Sequence, residues 1–207
     1  MSIYCVGRNY AAHAREMGAR AEPGAEPVVF LKPDGALVRP PGPLAFPAGV
    51  GEVHHEVEVV LRIGAAGTPD ALALGLDLTD RTRQAVAKKD GLPWAAAKGF
   101  RGSAAVGPWV PLAAAPALGA LRFTLHVNGN RVQAGDTADW LHPPAALLGW
   151  LDRWFGLFAG DLVFTGTPEG VGPVRAGDVL DLALEGVPAA SARFTVAGPE
   201  VRPTARG

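Results

Sequence analysis

The sequence predicts an α+β fold of one domain, residues 1–207, in which β-strands predominate. Many short apolar runs are separated by the 27 glycines and 19 prolines of the chain, and this pattern is typical of strands joined by turns. Only three segments carry helix signals. A chain of 207 residues can bury a substantial core in one domain, and no stretch has the composition of a linker.

The first fifty residues are predicted to contain two strands and one helix. Asn9 is a suitable N-cap for the helix, and Gly18 is a suitable terminator. Prolines then interrupt regular structure after the second strand. The predicted elements are strand 2–6, helix 10–17, a loop over 20–27, strand 28–31 and an irregular connection over 40–47.

The longest strand signal of this half covers residues 53–63, and a helix is predicted over residues 80–90. The strand is mostly apolar after its first few residues. For the helix we expect Thr79 as the N-cap, Asp80 in the first turn, and Gly91 with Pro93 as the stop.

The remainder of the chain is predicted to be a hairpin, a helix and three strands. Two alternating runs meet at Asn128-Gly129-Asn130, which is the strongest hairpin signal in the sequence. An amphipathic helix over residues 141–155 opens at Pro143 and Pro144. Strands over 162–165, 179–184 and 192–196 close the chain.

The composition argues against a highly charged partner or a membrane. The formal net charge is −1 with basic residues spread evenly, so neither nucleic acid nor a membrane surface is an expected partner. No apolar run reaches the ~18 residues that cross a bilayer, and no signal peptide is recognised. Cys5 is the single cysteine, which excludes an internal disulfide. We therefore predict a cytoplasmic protein that acts on a small molecule.

The stretch HHEVEVVLRIG from His54 places two acids at the start of a strand. Side chains alternate faces along a strand, so Glu56 and Glu58 share one face. Two buried carboxylates repel each other unless a cation lies between them, and Asp77 is the nearest candidate for a third oxygen ligand. The alternative is an ordinary solvated strand face, and spacing alone does not separate the two readings.

Two further constellations carry polar groups at helical spacing. His13 and Glu16 are i, i+3 neighbours, so the carboxylate can orient the imidazole as a general base, or the pair can simply be an exposed helix face. Arg81 and Gln84 have the same spacing and are candidates for contact with a substrate carboxylate.

Lys98 and the segment FTGTPEGVG from Phe164 each allow two readings. Lys98 either extends to the surface or offers its ammonium group to an anion. The turn at Gly166 either is structural or presents backbone N–H groups and the hydroxyls of Thr165 and Thr167 to an oxyanion. The segment lacks the lysine of a P-loop and the glycine spacing of a dinucleotide fingerprint.

Seven sequence blocks, taken in their order along the chain, resemble the fumarylacetoacetate hydrolase family, and in particular its short members. The resemblance covers residues 3–196. The blocks are CVGRNYAAHAREMG, VVFLKP, HHEVEVVLRIG, LDLTDRTRQ, GLPWAAAKGF, VNGNRVQAGDT and FTGTPEGVG. It implies a mixed, mostly β sandwich-like roll with a few short helices, normally assembled as a homodimer.

The resemblance also implies roles for particular residues. The metal ligands would be Glu56, Glu58 and Asp77, holding one Mg²⁺ or Mn²⁺ per subunit. The catalytic residues would be His13, Glu16 and Lys98, with His13 and Glu16 on a lid helix within an N-terminal segment of about residues 1–50. The substrate-lining residues would be Lys32, Arg81, Gln84 and Thr167.

The activity implied is metal-dependent chemistry on 2-oxo or 2,4-dioxo carboxylic acids, of the kind used in aromatic-compound catabolism. The main expectation is hydrolysis of the C3–C4 bond of an acylpyruvate through a pyruvate enolate. The alternative is an oxaloacetate decarboxylase, or an isomerase or decarboxylase of the 2-hydroxyhepta-2,4-diene-1,7-dioate type. Residues 99–109 depart from the family pattern, so the substrate is not specified.

Two competing hypotheses come from other classes of protein. Cys5 with His13 or His55 could form a thiol hydrolase, although a free cysteine in an apolar strand is most often an inert core residue. The other hypothesis is a metal-stabilised binding protein without activity.

Overall fold

The computed structural model describes residues 1–18 and 24–198, and strands predominate in it, as predicted. Its α-helices are α1 (Ala11–Glu16), α2 (Arg81–Asp90), α3 (Ala95–Lys98) and α4 (Pro144–Phe155). Its strands are β1 (Ile3–Val6), β2 (Val29–Lys32), β3 (Leu37–Val38), β4 (Val53–His55), β5 (Val57–Ile63), β6 (Pro69–Asp77), β7 (Thr79–Asp80), β8 (Ala104–Val106), β9 (Val110–Pro111), β10 (Arg122–Val127), β11 (Asn130–Asp136), β12 (Leu162–Phe164), β13 (Gly172–Pro173), β14 (Val179–Leu184) and β15 (Ala192–Thr195).

The strands form one large mixed sheet and two smaller antiparallel sheets. The large sheet has the order β2-β1-β12-β5-β6-β8-β3, with β9 also paired to β6. Two of its pairs, β1 with β12 and β3 with β8, are parallel, and the other pairs are antiparallel. The smaller sheets have the orders β11-β10-β14-β15 and β13-β4-β7.

Both faces of the large sheet are buried in its centre. On β5, Val57, Val59 and Leu61 belong to the larger apolar core, which also includes residues of β10, β14 and β15. Val60 belongs to a second cluster on the opposite face, with Phe164. This alternation is the period of two expected of a strand, and it directs Glu58, which has the parity of Val60, to the side of the second cluster.

The predicted continuous strand over residues 53–63 is wrong at one residue, because Glu56 interrupts it. β4 pairs with β7 and β13 of a small sheet, whereas β5 pairs with β6 and β12 of the large sheet. The adjacent segment passes from the large sheet to the small sheet at Leu78, between β6 and β7. The two changes lie side by side, since the Asp77 N–H donates to the Glu56 carbonyl at 2.9 Å.

The helices agree with prediction in position but not in every cap. Asn9 does not cap α1, since its side-chain Nδ2 donates to the Thr165 carbonyl and its side-chain Oδ1 accepts from the His142 N–H. Asp80, rather than Thr79, caps α2 by accepting from the Arg83 N–H. Gly91 ends α2 in the left-handed conformation, as predicted.

The predicted hairpin is confirmed, and so are the last helix and the closing strands to within a few residues. β10 and β11 flank Asn128 and Gly129, both with positive φ, as a two-residue hairpin turn requires. The strands β6 and β8, the four-residue helix α3 and the two-residue strands β3, β7, β9 and β13 were not predicted. The predicted loop over 20–27 lies partly outside the described residues. No helix within 1–18 or 24–198 is long and apolar enough to cross a membrane.

Candidate metal centre and active site

Three acids meet where the chain passes between the small and large sheets. Carboxylate oxygens of Glu56, Glu58 and Asp77 all lie within 4.8 Å of one another, and the three side chains are buried. Glu56 lies at the break between β4 and β5, Glu58 lies on β5, and Asp77 ends β6. The solvated-face reading is therefore wrong, because these acids are withdrawn from water and converge.

Glu56 is compensated by three hydrogen-bond donors, whereas Glu58 has one backbone donor. The donors to Glu56 Oε1 include Thr79 Oγ1 at 2.7 Å and Arg81 at 2.9 Å, and Lys98 Nζ lies 3.1 Å from Oε2. Glu58 Oε2 accepts from the Gly166 N–H at 2.7 Å. The turn at Gly166 thus directs this N–H to a carboxylate of the protein and not to a substrate oxyanion.

Lys98 holds two of the acids together from inside the protein. Its ammonium group is buried and donates to Asp77 Oδ2 at 2.7 Å as well as to Glu56. The surface-reaching interpretation of Lys98 is therefore wrong. Burial disfavours the charged amine, but the charges of Asp77 and Glu56 outweigh it, and the pKa of Lys98 is raised above its ordinary value.

Lys32 lies behind the acids, out of reach of a substrate. Its ammonium group donates to the carbonyls of Leu78, Ser103 and Lys98, which uses all three of its N–H donors. Nζ also forms a buried ion pair with Asp77 Oδ1 at 2.7 Å, although this contact lacks hydrogen-bond geometry. The negative charge of Asp77 is therefore partly compensated from this side, while no hydrogen bond occupies Oδ1.

This donor set fits a hard divalent cation. Carboxylate oxygens are the ligands that Mg²⁺ and Mn²⁺ prefer, and three of them leave coordination positions for water and substrate. The buried Glu58, with its single backbone donor, is the feature that a cation would complete, and Asp77 Oδ1, which accepts no hydrogen bond although it is paired with Lys32, can serve as a further ligand. The cluster can thus bind the predicted Mg²⁺ or Mn²⁺.

The pKa values of the two glutamates move apart. Burial raises the pKa of Glu56, but Lys98 and Arg81 outweigh burial and bring it down to about 2. Burial also raises the pKa of Glu58, and the charges of Asp77 and Glu56 raise it further, so it lies well above the ordinary value. Glu58 is therefore the acid whose ionised form needs additional positive charge.

His13 and Glu16 form the predicted pair on α1. His13 Nδ1 lies 3.1 Å from Glu16 Oε2, and Glu16 Oε1 accepts from the Gly170 N–H at 3.0 Å. A carboxylate only accepts, so Nδ1 carries the proton and Nε2 is left as the basic nitrogen. Glu16 thus fixes the tautomer of His13 and joins α1 to the loop after Gly166.

A cavity of about 200 Å³ opens beside the acids. Five of the residues singled out from the sequence line it, namely His13, Glu56, Arg81, Gln84 and Lys98. Lys32 and Thr167, expected as substrate-lining residues, are not among its described lining residues. Thr167 is buried and donates to the Val57 carbonyl at 2.9 Å.

Arg81 and Gln84 form a connected pair in the cavity wall. Arg81 donates to Gln84 Oε1 at 2.7 Å and to Glu56 at 2.9 Å, so much of its guanidinium group is already engaged. Because Gln84 accepts through its carbonyl oxygen, its amide nitrogen is left as a donor for a ligand.

Gln133 is the main contact residue that sequence reasoning missed. Its Oε1 accepts from the Val57 N–H and from His55 Nδ1, and its Nε2 donates to Thr167 Oγ1 and to the Pro168 carbonyl. It therefore links the β10–β11 hairpin to the strand and the loop that hold Glu58. The available signal was a polar residue on the inward face of an alternating strand.

The thiol-hydrolase hypothesis is wrong. Cys5 is fully buried, and burial raises the pKa of its thiol well above the ordinary value, so it does not supply a thiolate. Its side chain packs in the second apolar cluster and is not among the described residues that line the cavity.

Comparisons with known proteins agree with the resemblance read from the sequence. The family model for the C-terminal domain of fumarylacetoacetate hydrolase matches residues 2–195. The Escherichia coli K12 oxaloacetate tautomerase YcgM is 43% identical over 197 residues, covering 89% of this chain and 88% of the relative. The mouse mitochondrial oxaloacetate tautomerase FAHD1 is 40% identical over 205 residues, covering 94% and 91%.

A solved structure shares the fold closely. Fumarylpyruvate hydrolase from Pseudomonas aeruginosa, crystallised in complex with Mn²⁺ and pyruvate, has a TM-score of 0.88 and 37% sequence identity. The match covers 97% of this chain and 90% of that one. The predicted mixed, mostly β roll is thereby confirmed.

Proposed function

The chain belongs to the fumarylacetoacetate hydrolase family, and on this basis we propose that it is a divalent-metal-dependent enzyme that interconverts the keto and enol forms of oxaloacetate. The observation that carries the proposal is a buried triple-carboxylate cluster beside a small cavity lined by His13. Relatives at 43% and 40% identity named oxaloacetate tautomerase support this substrate. Our main expectation from the sequence, acylpyruvate hydrolysis, is not confirmed, and the alternative involving oxaloacetate has better support.

Glu56, Glu58 and Asp77 would hold one Mg²⁺ or Mn²⁺ per chain. When bound, the cation supplies positive charge that stabilises the negative enolate oxygen of a 2-oxo acid. Arg81 donates hydrogen bonds to Glu56 and Gln84, and these bonds fix the cavity wall beside the metal site. The free amide nitrogen of Gln84 is then positioned to donate to a substrate oxygen.

His13 would carry the proton. Its Nε2 takes a proton from C3 of the keto form, which leaves the enolate, and the imidazolium then delivers a proton to the C2 oxygen to give the enol. Atoms and charge balance without any added reactant. Glu16 holds His13 through Nδ1 and stabilises the imidazolium, as a carboxylate neighbour does. We propose α1 as the lid helix that brings this pair over the substrate.

The size of the cavity favours a small substrate. About 200 Å³ corresponds to roughly seven waters at ~30 Å³ each. A four-carbon diacid fits within this volume, whereas a long acyl chain would extend out of the open cavity. The volume therefore supports a small substrate such as oxaloacetate.

A second candidate function is hydrolysis of a short acylpyruvate. The likeness to fumarylpyruvate hydrolase favours it. In that reaction His13, held by Glu16, would take a proton from a water that attacks the C4 carbonyl, and the C3–C4 bond would break. The same residues serve both reactions, so the substrate has to decide between them.

The test is a panel assay with purified protein and Mg²⁺ or Mn²⁺. Enol oxaloacetate, a short acylpyruvate and a hydroxy-diene dioate are offered separately, and enol loss, acid release and CO₂ release are measured. We expect fast tautomerisation of oxaloacetate with little CO₂. Rapid acid release from the acylpyruvate without oxaloacetate turnover would favour the second candidate, and no turnover of any substrate would favour the inactive binding protein.

The homodimer and the cytoplasmic location predicted from the sequence are also proposals. Trp154, Phe155 and Phe158 are exposed large apolar side chains near the end of α4, and such a surface supports self-association. Light scattering on the purified chain tests this, and a monomer at micromolar concentration would contradict it.

A further inference from the structure

Some of the positively charged side chains that line the cavity beside the acids are not paired with any of the acids. Of its described lining residues, one is a carboxylate, Glu56, and four are arginine or lysine, namely Arg8, Arg81, Lys88 and Lys98. Arg81 and Lys98 both bond to Glu56. Neither the guanidinium group of Arg8 nor the ammonium group of Lys88 makes a hydrogen bond or an ion pair with another residue in the described part of the chain. Two cations therefore face this cavity without a counter-charge.

Arg8 is presented by a rigid piece of backbone. The Gly7 N–H before it donates to the Val28 carbonyl at 2.7 Å. After it, the Asn9 carbonyl accepts from the Leu141 N–H at 2.8 Å, and the Asn9 side chain donates to the Thr165 carbonyl at 2.7 Å and accepts from the His142 N–H at 2.6 Å. The backbone of Arg8 is thus held at both flanks while its guanidinium group stays unpaired, so a ligand has to order the side chain but not the backbone.

Lys88 is placed at the cavity mouth by α2 and by an aromatic neighbour. Its Nζ lies 5.6 Å from the centre of the Trp94 ring, within the range of a cation–π contact. Burial lowers the pKa of Lys88, and the nearby charges of Arg81, Arg8 and Lys98 lower it further. The basic groups therefore lie close enough to repel one another, and an anion between them relieves that repulsion.

We propose that Arg8 and Lys88 form a second anionic subsite, which binds the distal carboxylate of a dicarboxylic 2-oxo acid. The inference rests on the proposed function. The 2-oxo acid end belongs at the acidic cluster, where Arg81, Gln84 and Lys98 are tied to Glu56 or to one another. Arg8 and Lys88 line the same small cavity without contacting that cluster, so they are available to the other end of the molecule.

The consequence is selection by charge. A substrate with a carboxylate at C4 gains charge-assisted hydrogen bonds to Arg8 and Lys88, which are roughly twice as strong as neutral ones. A substrate with a neutral tail leaves both cations without a counter-charge. A site built to pair a group rejects the analogue that lacks it. The cavity therefore favours oxaloacetate over a neutral molecule of the same shape.

The first test compares two substrates of nearly equal shape. Oxaloacetate is measured beside 2,4-dioxopentanoate, in which a methyl ketone replaces the distal carboxylate. The variants are Arg8→Gln and Lys88→Met, with Lys89→Met as the matched control, since Lys89 is exposed and is not among the lining residues. We expect each variant to raise KM for oxaloacetate roughly 10- to 100-fold, to leave KM for 2,4-dioxopentanoate within about twofold, and Lys89→Met to change neither.

Equal losses on both substrates, or no change on either, would overturn the subsite. A second measurement does not depend on turnover: calorimetric binding of malate and of lactate, which lacks the distal carboxylate, in the presence of Mg²⁺. We expect tighter binding of malate, by at least ~10-fold, and loss of this preference in Arg8→Gln and Lys88→Met. Malate preference without oxaloacetate turnover would support the subsite and contradict the proposed function. Oxaloacetate turnover without malate preference would support the function and overturn the subsite.

Discussion

At the scale of single residues, Glu56 and Glu58 differ in what compensates their charge. Two cationic side chains donate to Glu56, whereas Glu58 is buried beside two carboxylates with one backbone donor. A buried carboxylate without a cationic partner destabilises the fold. Glu58 is therefore the ligand that gains most from a bound cation, and it is also a local cost to the metal-free protein.

This difference predicts opposite effects on metal binding and on stability. Glu58→Gln keeps an acceptor for the Gly166 N–H but removes a ligand charge, so we expect Mn²⁺ affinity to fall by more than about 100-fold. Without metal, the melting temperature of the variant should equal or exceed that of the wild type, because a buried like charge is gone. Calorimetry with Mn²⁺ and thermal unfolding in chelator measure the two effects.

Glu52 supplies the control, because its carboxylate is exposed and forms an ion pair with His54 and not with the acidic cluster. Glu52→Gln should change neither quantity. Full Mn²⁺ affinity in Glu58→Gln would remove Glu58 from the ligand set.

His13 and Glu16 are predicted to affect turnover but not metal binding. His13→Gln removes the base and should lower kcat by ~10²–10⁴-fold, the usual weight of a general base. Glu16→Gln should lower kcat less, since the amide still reaches Nδ1 but no longer stabilises the imidazolium. Steady-state kinetics with oxaloacetate, beside Mn²⁺ titrations, check both statements. Unchanged kcat in His13→Gln would assign the proton transfer to another group.

At the scale of elements, the site depends on the two points where the chain passes from one sheet to another. β5 pairs with β6, and Asp77 at the end of β6 lies beside Glu56, the residue just before β5. The turn after β12 completes the arrangement, because Thr165 Oγ1 donates to the Val59 carbonyl and Gly166 N–H to Glu58. The acids are thus positioned by strand pairing on one side and by a tight turn on the other.

Gly166→Ala should damage this turn more than an ordinary glycine substitution. Gly166 has φ of +102°, and an added Cβ would lie 2.6 Å from Asn9 Cβ. Gly186→Ala is the matched control, since Gly186 has φ of +71° but no atom within 4 Å of the added Cβ. We expect the control to lose about 1–2 kcal/mol of unfolding free energy from backbone strain, and Gly166→Ala to lose about 1–3 kcal/mol more from overpacking.

Denaturant unfolding of both variants measures this difference, and Mn²⁺ titration adds a second readout. Gly166→Ala should also bind Mn²⁺ more weakly, because the N–H that orients Glu58 moves. Equal losses of stability in the two variants would show that the contact with Asn9 is not tight.

Local sequence signals predicted the turn-bounded elements but missed β6, β8 and α3, and they did not predict how the strands pair. The Asn128-Gly129 turn and the Gly91 helix end are decided by backbone conformations within a few residues, so they could be read directly. The break at Glu56 could not, because it depends on which sheets flank the chain on either side. Lys32 was misplaced for the same reason, since its three carbonyl partners lie 46, 66 and 71 residues away in sequence.

Several site residues could be predicted from the sequence, because residue type and spacing limit which side chains can share one face of a strand or helix. Alternation in a strand placed Glu56 and Glu58 on one face, and helical spacing paired His13 with Glu16. The burial of these acids could not be predicted from spacing, and burial is what distinguishes a metal site from a solvated acidic face. Gln133 and Arg8 were missed because their importance lies in contacts or in a cavity formed by distant segments.

At the scale of the whole molecule, metal binding and folding should be linked. The three proposed ligands come from β6, β5 and the break before β5, so they converge in the folded chain and not in an unfolded one. A cation at 100 times its dissociation constant then adds about 2.7 kcal/mol to the unfolding free energy. Thermal scans with and without excess Mn²⁺ should show a higher melting temperature with the metal, and an unchanged value would contradict a specific site.

The most direct test of the central claim is the rate at which enol oxaloacetate converts to its keto form in the presence of the protein. We expect the Mn²⁺- or Mg²⁺-loaded protein to accelerate this conversion, chelator to abolish the acceleration, and added metal to restore it. A conversion rate with loaded protein equal to that in buffer with the same metal would contradict the account.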